Sequence, residues 1–250
     1  MIHQQLMLIE SVSGTFLSQR SHPKLALVGV DVNVISSALS IEAPRMPTFT
    51  HRMEFSPSSQ RMVTVHTMPF IADDQGDEAS AWFSEYLGVS CRLVAVHDSK
   101  MRRRALDNFD EPMIISCHDS ASIHIIGQSS LDYVNEERER TGSPKVSCNC
   151  FRPNIVTSDH APFEENRWKV LRIGDTLFER RKLTARCSII DVDPDTGERG
   201  RGVLKTLANF RNPNGKIYFG TYFYPRLKSL HPVPIISVGQ EIEVVELVRE

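Results

Sequence analysis

Turn-forming residues recur so closely along this chain that few stretches are long enough for a helix. Apolar runs such as QLMLI (5–9), ALSIEA (38–43), CRLVAV (91–96) and EIEVVEL (241–247) are short, and several alternate apolar with polar residues. That period of two suits strands with one face packed and one wet. MVTVHTMPF (62–70) reads as one further strand, and RWKVLRIGDTLFERRKLTA (167–185) as strands broken by a turn at Gly174 and Asp175. QLMLI and TFLSQ (15–19), joined by ESVSG, read as a β-hairpin.

Helical spacing shows in GDEASAWFSEYLGV (76–89), where Asp77 and Glu78 sit in the first turn, Ala81, Trp82, Tyr86 and Leu87 recur on one face, and Gly88 follows the end. It shows again in SSLDYVNEERER (129–140), whose serines suit N-terminal capping. Strands outnumber helices in both halves, so the expected class is α+β, mostly β, with barrel-like packing rather than alternating βαβ units. The basic, loop-like HDSKMRRRALDNFDEP (97–112) marks the expected boundary, giving domains 1–95 and 96–250.

Composition narrows the function. The 250 residues are 40% hydrophobic, enough for a sizeable core. The 29 basic and 31 acidic residues nearly cancel, so no global field favours nucleic acid or an anionic membrane. No stretch approaches the roughly 18 apolar residues of a membrane span. Five cysteines, an odd count without regular spacing, speak for a reducing compartment, read as the cytoplasm. Cys148 and Cys150 lack a second pair that would complete a zinc set.

Four places carry candidate chemistry. Cys187, preceded by Arg186 and by Arg180, Arg181 and Lys182, sits in a positive neighbourhood that favours thiolate. Covalent catalysis, ligation of a soft metal and a buried structural role are all open to it, and local spacing alone favours the last. Arg152 and Asn154 flank Pro153 in CFRPNIV; in an extended segment both side chains share one side, offering a guanidinium fork for an anion and an amide edge for a heterocycle. His118, Asp119 and Ser120 follow a strand end; successive strand residues face opposite ways, so they suit a ligand-contacting loop better than a triad. DVDPDTGE (191–198) lacks the spacing of a calcium loop and reads as a turn.

In order, FLSQRSHPKLAL, GDEASAWFSEYLG, CFRPNIV, WKVLRIGD, ARCSIIDVDPDTGE, LKTLANFR and FGTYF resemble the MOSC-domain family, nearest its bacterial YcbX-type and amidoxime-reducing branches. The resemblance implies a β-rich, barrel-like N-terminal domain followed by a MOSC domain, with a pterin-based molybdenum cofactor between them. It implies that Cys187 is the catalytic metal ligand, that Arg152 and Asn154 contact the cofactor, and, more loosely, that Asp119 borders the catalytic centre and Ser120 the cofactor. The implied reaction is two-electron reduction of small N-hydroxylated compounds, with electrons from a separate electron-transfer protein, since no C-x-x-x-x-C-x-x-C pattern is present. The same comparison implies that a phosphate-binding strand is missing before Met1 and that a cofactor contact is altered at Ala185, where the amidoxime-reducing branch has serine. A non-catalytic cofactor or sulfur carrier, and an inactive truncated copy, are the alternative expectations.

Overall fold

The computed structural model describes residues 6–33, 38–65, 68–96, 102–104, 113–115, 123–226 and 235–248. Contacts divide the chain into two compact units: one of 1–119 with 192–199, the other of 120–191 with 200–250.

The first unit holds β1 (Leu6–Glu10), β2 (Gly29–Asn33), β3 (Ala38–Glu42), β4 (Phe49–Arg52), β5 (Gln60–Val65), β6 (Met68–Asp74), α1 (Asp77–Leu87) and β7 (Cys91–Ala95), followed by the short pair β8 (Arg102–Arg104) and β9 (Met113–Ile115). One sheet runs β1-β7-β6-β5 and another β2-β3-β4. Both faces of β1 are covered: Leu8 joins Trp82, Phe83 and Leu93 on one side, while Met7 and Ile9 join Val63, Ala72 and Val94 on the other. Each such side chain withdrawn from water contributes roughly 1.5–3 kcal/mol. Helix α1 ends as its sequence dictates, with Gly88 left-handed at φ 71° and its N–H on the Ser84 carbonyl.

One expectation is corrected here. The segment 62–70 is two strands, β5 and β6, paired antiparallel with Val65 opposite Met68. The expected hairpin forms in short: Ile9 bridges Phe16, the Glu10 N–H donating to the Thr15 carbonyl and the Leu17 N–H to the Leu8 carbonyl, both at 2.8 Å. The other edge of β1 pairs with β7 along its full length.

The second unit is a six-stranded sheet built from β10 (Ile123–Gly127), β11 (Ile155–Thr157), β12 (Trp168–Ile173), β13 (Thr176–Ala185), β14 (Tyr218–Pro225) and β15 (Ile242–Leu247), with α2 (Gln128–Arg140) and α3 (Val203–Ala208). Its order is β11-β10-β14-β13-β12-β15. Ile125 faces Trp168, Leu171 and Phe223, whereas Ile126 faces Leu131, Val134, Phe151, Val203 and Phe219. The expected serine cap of α2 is not made: its N-cap is Gly127, and Ser130 instead donates to Glu165 Oε2 at 2.8 Å and accepts from the Phe163 N–H. Ser130 and Glu165 are both fully buried, so pairing each other satisfies more polar surface than an exposed cap. No described helix is long and apolar enough to cross a membrane.

Candidate functional site

Strand β13 carries the chain to Cys187 through two register shifts against β14, between Arg180 and Lys182 and between Leu183 and Ala185. Such bulges re-aim side chains at strand ends. Just beyond, Cys187 turns into the 3-10 segment Ser188–Asp191, its carbonyl accepting from the Ile190 N–H at 3.3 Å. The residue is exposed, which corrects the expectation of a buried structural cysteine. In the same unit Cys150 is buried: its Sγ reaches the Ser147 carbonyl at 3.1 Å, and burial pushes it up to about 12 against the pull of Arg201, Arg186 and Arg138.

Arg152 caps the 3-10 turn Cys148–Phe151 in the left-handed region at φ 55°. The extended geometry expected for CFRPN therefore fails at its arginine. A left-handed non-glycine residue costs roughly 1–2 kcal/mol, and surrounding hydrogen bonds must hold it. The Arg152 N–H donates to the Asn149 carbonyl at 3.1 Å, and the Phe151 carbonyl accepts from Arg186 Nη2 at 2.9 Å. Asn154 then clamps β10: its N–H donates to the His124 carbonyl at 2.8 Å, and its Oδ1 accepts the His124 N–H at 2.7 Å. With its oxygen committed, the amide nitrogen of Asn154 is the part left to meet a ligand. Arg152 and Asn154 are both exposed.

Beneath this turn lies a group that sequence reasoning missed. His124 is 4% exposed, its ring 5.3 Å from that of Tyr222 and its Nδ1 3.5 Å from the Arg152 carbonyl. Burial, reinforced by Arg186, pushes this imidazole down to about 4, so it is neutral at physiological pH. Close packing requires Gly220, at φ +76°, because a Cβ there would stand 2.4 Å from His124 Nε2. The sequence signal was a histidine set in the apolar run SIHII opposite the glycine of FGTYF.

The motif readings thus converge in part. Cys187, through its neighbour Arg186, is tied to Arg152 and Asn154 across the Phe151 carbonyl. Asp119 and Ser120 lie outside the described residues. The DVDPDTGE segment is the expected turn: Asp193 Oδ1 accepts the N–H groups of Asp195 and Thr196, and Gly197 is left-handed.

Two family models match this chain. A profile described as the MOSC domain matches residues 112–243, and one described as the MOSC N-terminal beta barrel domain matches 4–90. The chain belongs to the MOSC-domain family. It is 30% identical over 258 residues to "Mitochondrial amidoxime reducing component 2" of Rattus norvegicus, covering 96% of this chain and 73% of that one. It is 27% identical over 260 residues to "Molybdenum cofactor sulfurase" of Danio rerio, covering 97% of this chain but 31% of that protein. It is 28% identical over 242 residues to "Mitochondrial amidoxime-reducing component 1" of Mus musculus, covering 89% of this chain and 68% of the relative. The MOSC chain therefore spans about a third of the zebrafish sulfurase and most of the amidoxime-reducing relatives. It is a MOSC protein related to the molybdenum cofactor.

The donor set of this MOSC domain fits a molybdenum-pterin group. Such a group is anionic and carries a soft metal, and the turn presents an exposed thiol, an exposed guanidinium and an amide nitrogen. Beside the turn, Nε of Arg186 is buried without a hydrogen-bond partner among the described residues. Among the described residues no three His, Cys, Asp or Glu side chains gather into a metal cage.

Proposed function

We propose that this protein holds a molybdenum-pterin cofactor and reduces small N-hydroxylated compounds, taking electrons from a separate electron-transfer protein. The tie between the Cys187 strand end and the Arg152 turn through Arg186 carries this reading, because it joins a soft-metal ligand to anion-binding groups. The names of the amidoxime-reducing relatives support the choice of substrate. In this proposal Cys187 is the catalytic metal ligand, Arg152 neutralises an anionic part of the cofactor and Asn154 donates to its heterocycle. Asp119 borders the reacting centre and Ser120 contacts the cofactor. The domain division at 95/96 and a cytoplasmic location belong to the same proposal.

When bound, the cofactor supplies the two-electron redox chemistry at its metal. The balance for an amidoxime is two electrons and two protons in, with the N–O bond broken and the oxygen leaving as water. The protein's share is to fix orientation and offset charge. The left-handed turn at Arg152, held by hydrogen bonds to its flanking residues, sets that orientation before any ligand arrives.

Expression in a host that makes the cofactor, followed by metal analysis of wild type and Cys187→Ala, tests the proposal. About one molybdenum per chain in wild type and almost none in the variant is the expected result; a wild type without molybdenum overturns it. A second reading, a non-catalytic carrier of cofactor or persulfide, draws on the exposure of Cys187 and on the sulfurase relatives. Reduction of benzamidoxime with a chemically reduced viologen dye as electron donor decides between them.

A further inference from the structure

Arg186 makes the tie on which the proposed function rests, through Nη2 and the Phe151 carbonyl. Its guanidinium is part-buried, and among the described residues no carboxylate pairs with it. Its Cζ stands 5.6 Å from the centroid of the Phe151 ring, and Nη2 donates to the Phe151 carbonyl at 2.9 Å. The backbone N–H of Arg186 is also committed, donating to the Ile217 carbonyl at 2.8 Å.

A part-buried cation without an ion pair is costly, and a methionine or leucine would fill the same volume without that cost. What an apolar side chain cannot supply is a charged donor to the carbonyl just before the left-handed residue. We propose that Arg186 is the positioning residue of this site, pinning the Arg152–Asn154 turn to the strand end that bears Cys187, so that thiol and guanidinium keep a fixed separation. His124 braces the same turn from the opposite side through both of its backbone hydrogen bonds to Asn154. The orphaned Nε of Arg186 adds a donor that the fold leaves unused. The assignment rests on the proposed cofactor for its purpose, but its geometry is a property of the protein alone.

Hydrogen exchange on the full chain made without cofactor separates the two. The peptide covering 149–156 is followed in wild type, Arg186→Met and Arg186→Lys. Exchange there is expected to speed about tenfold in the methionine variant, the scale of one hydrogen bond from a charged donor. Peptides from β12 and α1 are expected to keep wild-type rates, and lysine, which retains a charge and a donor, to recover part of the loss. Molybdenum per chain, from the cofactor-making host, is expected to fall about tenfold in the methionine variant. Unchanged exchange at 149–156, or equal acceleration in β12, overturns the assignment. Should the methionine variant not fold, Arg186→Gln is read against the same outcomes. Wild-type protein lacking molybdenum overturns the proposed function instead, and the exchange measurement then decides the positioning role independently.

Discussion

Asn154 and His124 hold each other by two hydrogen bonds in opposite directions, the Asn154 side chain accepting at 2.7 Å what its backbone returns at 2.8 Å. The clamp commits the oxygen of the amide to the fold, and in the proposed function the nitrogen donates to the cofactor. Asn154→Asp keeps the acceptor and removes the donor, so we expect near wild-type stability with molybdenum content reduced severalfold. Asn154→Ala loses both and should also cost about 1–3 kcal/mol in urea unfolding. Equal loss of stability in the two variants would refute this division of labour.

Gly220 is tied to the same histidine by lack of space. A methyl group there would meet His124 Nε2 at 2.4 Å, Ile126 Cγ2 at 2.7 Å and the Ile125 carbonyl at 2.8 Å, at a backbone φ of +76°. Gly142 has a nearly equal φ of +71° but open surroundings. We expect Gly142→Ala to cost about 1 kcal/mol, the backbone penalty alone, and Gly220→Ala to cost roughly 2–4 kcal/mol more through overpacking. Urea midpoints of the two variants measure the difference.

The neutral, buried state of His124 gives stability a pH dependence. Its folded pKa of about 4 lies below the ordinary 6.5, so between these values the unfolded chain binds the extra proton. Stability is therefore full above about 6.5 and falls as the pH drops toward about 4, by on the order of 3 kcal/mol for this group. Denaturant unfolding at pH 7 and pH 5 should show the decline, and His124→Phe should lose that part of it.

Cys150 and Cys187 should separate by reactivity. Burial holds the Cys150 thiol near 12, leaving almost no thiolate at pH 8, while Cys187 is exposed. Brief iodoacetamide treatment of the native protein at pH 8, followed by peptide mass mapping, should label Cys187 and leave Cys150 unmodified. Labelling of Cys150 at a comparable rate would show that its pocket opens.

Helix α1 was legible because its acidic first turn and closing glycine act within one turn of the chain, but its buried face is Ala79, Trp82, Phe83 and Tyr86, with the expected Ala81 exposed and Leu87 half-buried. The loop DVDPDTGE was legible for the same reason, its Asp193 cap reaching only two and three residues onward. The Arg152 turn was not, since its left-handed backbone is supported by Arg186, 34 positions later, and by the His124 clamp on Asn154. The split of 62–70 into β5 and β6 was likewise hidden, because no glycine or asparagine marks the reversal.

The sequence by itself determined the mostly β class, the strand-rich halves and the membership of Cys187, Arg152 and Asn154 in one set of motifs. The class and the strand-rich halves follow from short-range periodicity, which each stretch carries alone; the grouping of the three residues is what the ordered resemblance to the MOSC-domain family implies. Only the tertiary structure decided that Cys187 is exposed while Cys150 is buried, that β1 pairs with β7, and that a neutral histidine and a part-buried arginine brace the Arg152 turn. Burial and long-range hydrogen bonds are properties of segments brought together from distant positions, and no local pattern encodes which partners will meet.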